Sequence, residues 1–150
     1  MSIIIPMHSI KLIRESHRYY NLSSRIIHCP DDASTIARSI FKTDELDVEI
    51  FGILLLNIKN TVTGATIVSK GSLTASVVHP REIFKTAILG NAACIMLVHN
   101  HPSGDPEPSR EDISTTGRLV KAGKLLDIPV IDHIIIGDDS YVSLKEKGLL

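Results

Sequence analysis

The sequence predicts an α/β fold, in the form of an α+β sandwich with a mixed β-sheet flanked by helices. Segments with helical and strand-like spacing alternate from residue 31 onward, which is typical of this class. The apolar runs at residues 53–56 and 92–98 are uninterrupted, as expected of strands buried on both faces. A length of 150 residues, with 43% hydrophobic and 22% charged side chains, fits one ordinary globular domain.

The N-terminal segment, residues 1–44, is predicted to form an arm and a helix packed on a domain that spans residues 45–150. Residues 11–25 are mildly basic, because one acid, Glu15, stands against four basic residues, Lys11, Arg14, Arg18 and Arg25. We expect an extended arm or peripheral strand here, with contact to nucleic acid or to a partner as the alternative.

A helix and a strand are predicted to follow the arm. Asp31 or Asp32 is expected to cap a helix over residues 32–43. The apolar face of this helix comprises Ile36, Ile40 and Phe41. Residues 48–57 have the pattern of the first strand.

The next pattern is that of a β-hairpin followed by a helix. A polar turn at residues 60–64 separates the first strand from a second one at residues 65–73. Pro80 suits the first position of a helix over residues 80–90, with His79 as its cap.

The last third of the chain is predicted to contain a strand–helix–strand unit. A buried strand at residues 93–98 precedes a Pro- and Gly-rich loop at residues 100–108. A helix over residues 110–125 follows, and short strands at residues 130–136 and 140–143 complete the domain.

Composition and charge exclude several classes of protein. Sixteen basic and seventeen acidic residues give a net charge of −1, without the positive excess of a protein that coats phosphate backbones. Cys29 and Cys94 do not form a C-x-x-C pair, which argues against thiolate zinc knuckles and thioredoxin-like redox chemistry. The sequence has neither an apolar stretch of about 20 residues nor a signal-peptide pattern. We therefore expect a soluble cytoplasmic protein without a membrane partner.

Two histidines and an aspartate predict a metal centre. His99 and His101 lie at the end of a buried strand, and Asp112 follows eleven residues after the second histidine. Imidazole and carboxylate are the ligands of hydrolytic zinc sites, in which three protein ligands leave a fourth position for water. Pro102 and Gly104 give the intervening loop a stiff, sharply turned path.

Some of these residues also have a structural interpretation. Ser109 and Asp112 match the pattern of a helix capping box, which requires no metal. The coincidence of this motif with His-x-His and a constrained loop favours the metal site, and Ser109 can cap the helix and serve the site at once. Further along, Asp132 and His133 are either a support for the site or a satisfied structural pair.

The pattern H-x-H-P-x₆-S-x-x-D, which begins at His99, resembles the JAMM signature of JAB/MPN-type zinc metallopeptidases. Three further stretches resemble the RadC branch of that family, namely residues 78–93, 132–137 and 141–143. The resemblance covers residues 45–150 and implies the JAB/MPN (cytidine-deaminase-like) metalloprotease architecture. Longer RadC-like proteins also carry an N-terminal helix-hairpin-helix-type region, and we expect this chain to be a short form without it.

The resemblance also implies roles for individual residues. His99, His101 and Asp112 would bind one Zn²⁺ per chain, and Ser109 would help to stabilise the oxyanion. The family further requires a glutamate on an upstream strand, hydrogen-bonded to the metal-bound water, and Glu49 matches that position.

The glutamate has two alternatives in this sequence. Glu45 precedes the strand, and Glu82 fits the first turn of a helix, where acids are favoured in any case. The resemblance thus implies that Glu49 is the general base, while from the sequence alone an exposed acid at the entrance of a strand is the alternative interpretation.

The function implied by the resemblance is that of a zinc-dependent metallopeptidase or isopeptidase, which hydrolyses an amide bond of a peptide or protein with a metal-activated water. The alternative is a DNA-repair or nucleic-acid-processing accessory protein of the RadC type. The sequence contains no H-E-x-x-H, G-x-S-x-G or P-loop pattern that would indicate a rival chemistry. It carries no recognisable signal for the physiological substrate or the oligomeric state.

Overall fold

The computed structural model describes residue 6 and residues 19–71 and 78–150. In chain order, the elements are α1 (Pro30–Phe41), β1 (Ile50–Leu56), β2 (Val62–Lys70), α2 (Pro80–Leu89), β3 (Cys94–Asn100), α3 (Arg110–Leu125), β4 (Val130–Ile136) and β5 (Tyr141–Ser143). A short 3-10 helix, Thr43–Glu45, lies between α1 and β1.

Within the described residues the five strands form one mixed sheet in the order β2-β1-β3-β4-β5. The β3–β4 pair is parallel, while the other three pairs are antiparallel. A parallel pair requires a crossover connection, and α3 provides it. The predicted fold class, a mixed sheet flanked by helices, is confirmed.

The continuous apolar pattern of β1 arises because both faces of the sheet are covered. Its residues Ile50, Leu54 and Leu56 belong to a core cluster that includes the buried face of α1. The alternate residues Phe51, Ile53 and Leu55 belong to a second cluster with side chains from α2 and α3. Side chains alternate between the two faces of a strand, so a strand between two helical layers must be apolar throughout.

The start of α1 differs from the prediction. The N-cap is Cys29, and Pro30 occupies the first helical position, where its fixed φ angle is already helical. Asp32 lies one turn inside the helix, and its Oδ2 accepts hydrogen bonds from the backbone N–H groups of His28 (2.8 Å) and Cys29 (3.3 Å). Neither Asp31 nor Asp32 is the N-cap, although Asp32 does satisfy backbone donors at this end.

The hairpin turn lies earlier in the sequence than predicted. The Asn57 side chain accepts hydrogen bonds from the backbone N–H groups of Lys59 and Thr61, and Asn60 adopts a positive φ of 54°. These features complete the reversal before residue 61, so β2 begins at Val62 rather than at residue 65. The strand ends at Lys70, and residues 72 and 73 of the predicted strand lie outside the described residues.

The other predicted elements agree with the structure to within two residues at each end. His79 is the N-cap of α2, but its side chain makes no capping hydrogen bond. Of the predicted basic arm, residues 11–18 lie outside the described residues. None of the described helices combines the length and the apolar character that a bilayer-spanning helix requires.

The loop that follows β3 packs closely against the β4–β5 turn. The His101 N–H donates to the carbonyl of Ile136 at 2.8 Å, and the Asp138 N–H donates to the carbonyl of Gly104 at 3.1 Å. A Cβ at Gly137 would lie 2.2 Å from the Gly104 carbonyl oxygen, which is backbone and cannot swing aside. Only a glycine at residue 137 therefore allows this loop to approach.

Gly137→Ala should test the close approach. We expect it to lower the free energy of unfolding by about 1–3 kcal/mol, because the added methyl group overpacks a backbone contact. Chemical denaturation of the purified variant measures this.

Gly117→Ala is the matched control, since a Cβ at this helical position has nothing within 4 Å. It should stabilise the protein by about 0.5–1 kcal/mol, as expected for alanine in place of glycine inside a helix. Equal effects of the two substitutions would contradict the proposed constraint at Gly137.

Candidate metal centre

The two predicted histidine ligands lie at the carboxyl end of β3. His99 is the last residue but one of the strand, and His101 follows its end. Residues two apart on an extended segment point to the same side, and the two Nε2 atoms are 2.8 Å apart. His99 is fully buried, while the side chain of His101 is 17% exposed. The pair thus presents two ring nitrogens toward one point.

Asp112 reaches the same point from the first turn of α3. Its Oδ1 lies 3.4 Å from His99 Nε2, and its Oδ2 lies 3.6 Å from His101 Nε2. Ser109 is the N-cap, and both its N–H and its hydroxyl donate to Asp112 Oδ2 at 2.7 Å. In return the Asp112 N–H donates to Ser109 Oγ at 3.1 Å. The capping box is therefore real, and it aims the carboxylate at the histidines.

Glu49 reaches the site from the residue before β1. Antiparallel pairing of β1 with β3 places Phe51 opposite His99, so the start of β1 adjoins the end of β3. Glu49 Oε1 lies 3.9 Å from His99 Nε2, and one ligand atom each from Glu49, His99 and His101 fall within 4.8 Å of one another.

The two alternative glutamates lie elsewhere. Glu45 forms an ion pair with Lys42 at 3.1 Å. Glu82 forms one with Lys85 at 2.6 Å on α2. Of the three glutamates considered from the sequence, Glu49 is the one that the structure places beside the histidines.

The charge states of His99 and Asp112 suit a cation. Burial lowers the pKa of His99 to about 4, so its ring is neutral at neutral pH. Burial alone would raise the pKa of Asp112, but the neighbouring His101 and His99 rings and the hydrogen bonds from Ser109 hold it well below its usual value. The Asp112 carboxylate, 3.6 Å away, raises the pKa of His101. A neutral imidazole and an ionised carboxylate are the forms that bind metal ions.

The donor set and its spacing fit zinc. Two imidazole nitrogens and one carboxylate oxygen are typical ligands, and bonds of about 2.0–2.1 Å in a tetrahedron place neighbouring ligand atoms about 3.3–3.4 Å apart. Asp112 Oδ1 is 3.4 Å from His99 Nε2, and the other oxygen, Oδ2, is 3.6 Å from His101 Nε2. Each distance is close to this spacing, through a different oxygen of the carboxylate. The His99–His101 separation of 2.8 Å is that of a hydrogen bond, and it would widen by about 0.5 Å around an ion.

Asp132 and His133 differ in their roles. One contacts the candidate site and the other makes structural hydrogen bonds, the two interpretations considered from the sequence. His133 Nε2 lies 2.9 Å from His99 Nδ1. This is the ring nitrogen of His99 that does not face His101 and Asp112. Asp132 points away and accepts hydrogen bonds from the Ser143 hydroxyl (2.6 Å) and the Lys145 N–H (3.0 Å). His133 therefore contacts the site, and Asp132 holds the segment after β4.

Sequence reasoning missed two residues around the histidines. Thr116 places its Oγ1 2.6 Å from His133 Nδ1, and its position one turn after Asp112 on α3 was the signal that could have found it. Phe51 stacks on the His99 ring at a centroid distance of 6.0 Å and contacts His133 edge-on at 5.4 Å. Its position opposite His99 depends on strand register, which the sequence did not give.

A cavity of about 330 Å³ opens beside His101. Its lining includes three acidic residues, Asp44, Asp138 and Asp139. A group that occupies this cavity would contact His101 and face a negatively charged rim.

Comparison with known proteins agrees with the family resemblance of the sequence motif. The family model described as "RadC-like JAB domain" matches residues 27–149. A "UPF0758 protein" of Desulforamulus reducens is 54% identical over 125 residues, which is 83% of this chain and 54% of that protein. A "UPF0758 protein" of Methanosarcina mazei is 48% identical over 140 residues, which is 93% of this chain and 60% of that protein. The names of these relatives state no reaction.

The relatives are longer than this chain. The matched part spans between 54% and 60% of the length of the two relatives. The match of the family model includes every residue of the candidate centre, from Glu49 to His133.

Asp112→Ala should weaken zinc binding strongly, because it removes a proposed ligand. A change outside the ligand set typically costs about 10–100-fold in affinity, and we expect a larger loss here. The wild-type protein should hold about one zinc per chain, as expected of a mononuclear catalytic site. Elemental analysis of purified protein and competition with a chromophoric chelator measure both quantities.

Glu111→Ala is the control, because Glu111 is an exposed acid in the same first turn of α3. It should retain the zinc content of the wild type. Equal zinc affinity of the two variants would remove Asp112 from the ligand set.

Proposed function

This chain belongs to the RadC-like JAB domain family, and from that premise we propose that it is a zinc-dependent hydrolase of amide bonds in peptides, proteins or isopeptides. The observation that carries the proposal is the convergence of His99, His101 and Asp112 on one point with Glu49 beside them. His99, His101 and Asp112 are the proposed zinc ligands, and one coordination position remains for water.

The chemistry begins with a nucleophile that is available at neutral pH. A bound zinc ion would supply Lewis-acid activation, which can lower the pKa of water from about 16 to about 7. Glu49 is proposed to accept a proton from the attacking water and to deliver it to the departing amine. Its side chain is 26% exposed, so it lies at the boundary between the buried histidines and solvent, where it can reach both.

Ser109 is proposed to have two tasks. Its hydroxyl donates to Asp112 Oδ2 at 2.7 Å, which orients a proposed ligand. To stabilise the oxyanion, the hydroxyl proton would turn from Asp112 toward the oxygen of the scissile carbonyl. A donor of this kind typically contributes about 10²–10³ in rate.

The RadC-type role in DNA repair or nucleic-acid processing stays a prediction of the sequence. It depends on the basic character of residues 11–25, and residues 11–18 of that segment lie outside the described residues. The hydrolase proposal is favoured because it uses the geometry of the buried cluster itself. The cytoplasmic location is likewise a prediction.

Glu49→Gln should retain zinc while hydrolysis falls by about 10²–10⁴-fold, the usual contribution of a general base. The amide keeps the size of the side chain but cannot accept the proton. Cleavage of a proteome-derived peptide library by the wild type and the variant, together with their zinc content, measures the two effects separately.

Glu45→Gln is the matched control for this experiment, since Glu45 is paired with Lys42 away from the histidines. It should cleave the library as the wild type does. Wild-type turnover by the Glu49→Gln protein would exclude Glu49 as the base.

Ser109→Ala should lower the rate of hydrolysis by about 10²–10³-fold and the free energy of unfolding by about 1 kcal/mol, because it removes both the oxyanion donor and the helix cap. Ser109→Thr keeps a hydroxyl group and should retain most of both properties. Turnover on a substrate identified in the library and chemical denaturation provide the readouts. If the alanine variant is less stable but hydrolyses the substrate at the wild-type rate, the role of Ser109 is limited to capping the helix.

A further inference from the structure

A chain of buried hydrogen bonds extends behind the proposed metal ligands. His99 Nδ1 is 2.9 Å from His133 Nε2, and His133 Nδ1 is 2.6 Å from Thr116 Oγ1. The Thr116 hydroxyl is also 2.6 Å from the backbone carbonyl of Asp112. His99, His133 and Thr116 are all 0% exposed. This series of hydrogen bonds thus begins at the proposed ligand His99, passes through His133 on β4 and ends at the backbone of the proposed ligand Asp112.

Metal binding fixes the direction of every bond in this chain. A ring nitrogen that binds a metal must offer a lone pair, so with Nε2 of His99 on the ion the ring proton lies on Nδ1. That proton is donated to His133 Nε2, which leaves the proton of His133 on Nδ1. His133 then donates to Thr116 Oγ1, and the hydroxyl proton is directed to the Asp112 carbonyl. All donors in the chain are satisfied.

The opposite direction of the chain excludes the metal from His99. If the Thr116 hydroxyl donates to His133 Nδ1, the proton of His133 lies on Nε2 and is donated to His99 Nδ1. The proton of His99 then lies on Nε2, 2.8 Å from His101 Nε2, where it occupies the lone pair that the metal requires. The Thr116 hydroxyl has one proton and two acceptors at the same distance of 2.6 Å, so its orientation distinguishes the two states.

We infer that His133 and Thr116 are positioning residues, which hold the His99 ring in the tautomer that presents its Nε2 lone pair to the metal. The inference rests on the proposed function, because it takes His99 as a zinc ligand through Nε2. Neither residue reaches the metal-facing edge of the cluster, so both act through His99.

The surroundings make the hydroxyl of Thr116 hard to replace. The Phe51 ring packs on both imidazoles, and the full burial of Thr116 and His133 keeps bulk water away from the bonds between them. In the metal-binding state the Nδ1–H of His133 would have no acceptor without that hydroxyl, and an unpaired buried donor is costly.

The test compares Thr116→Val, which keeps the shape of the side chain but removes the hydroxyl, with Thr116→Ser, which keeps the hydroxyl. We expect the valine variant to bind zinc about 10–100-fold more weakly than the wild type, the usual cost of losing an outer hydrogen-bond partner. The serine variant should retain wild-type affinity. Competition with a chromophoric chelator gives the affinities without any measurement of hydrolysis.

A second readout uses the wild-type protein and requires no substitution. In zinc-loaded protein with ¹⁵N-labelled histidine, the ring ¹⁵N resonances of His99 and His133 should both report a proton on Nδ1. A proton on Nε2 of His133 would overturn the inference, whatever the variants do.

The outcomes separate this inference from the proposed function. Two results would overturn the positioning role of Thr116 while the hydrolase proposal stands. One is equal zinc affinity of the valine variant and the wild type, and the other is an equal loss of affinity in the valine and serine variants. If zinc binding depends on the Thr116 hydroxyl but the protein has no amidase activity, the positioning role is supported and the hydrolase proposal is overturned. A wild-type protein that binds no zinc overturns both.

Discussion

The candidate centre depends on the way in which β3 pairs with its two neighbours. β3 is antiparallel to β1 and parallel to β4, so its carboxyl end meets the beginning of β1. The crossover required by the parallel pair brings the N-terminus of α3 to the same end. Glu49, His99 and Asp112 come from three separate parts of the sequence, and this single arrangement places them together. A sheet in which β1 did not pair with β3 would separate Glu49 from His99.

The same contacts that stabilise the fold also orient the cluster. Asp112 completes the capping box of α3 with Ser109, and a carboxylate in the first turn is favoured by the helix dipole. The backbone of His101 bonds to the end of β4 through the carbonyl of Ile136. These bonds join protein groups only, so they would hold the proposed ligands in position for a metal ion.

The sequence predicted the local parts of this structure better than the parts that depend on distant contacts. The limits of α3 and β4 were correct because each has a clear apolar pattern and, for α3, a capping motif at its start. The start of α1 was misplaced because Pro30 made Cys29 the N-cap, and the hairpin turn was misplaced because Asn57 and Asn60 completed it early. The role of Glu49 came from the family resemblance, since its approach to His99 is fixed by strand pairing that a local pattern does not encode.

On the proposal that His133 and Thr116 position the His99 ring, a motif is an incomplete description of such a centre. The proposed ligands His99 and His101 can be found from residue type and spacing, but the groups proposed to set the protonation of His99 are ordinary residues in other elements. Thr116 would be unremarkable on any helix, and its importance comes from lying within 2.6 Å of both a ring nitrogen and a backbone carbonyl. A buried imidazole whose other nitrogen is hydrogen-bonded has only two tautomers, and the partner at the far end of the chain selects between them. On this proposal, a hydroxyl group two hydrogen bonds away from His99 decides whether His99 Nε2 offers a lone pair to a metal ion.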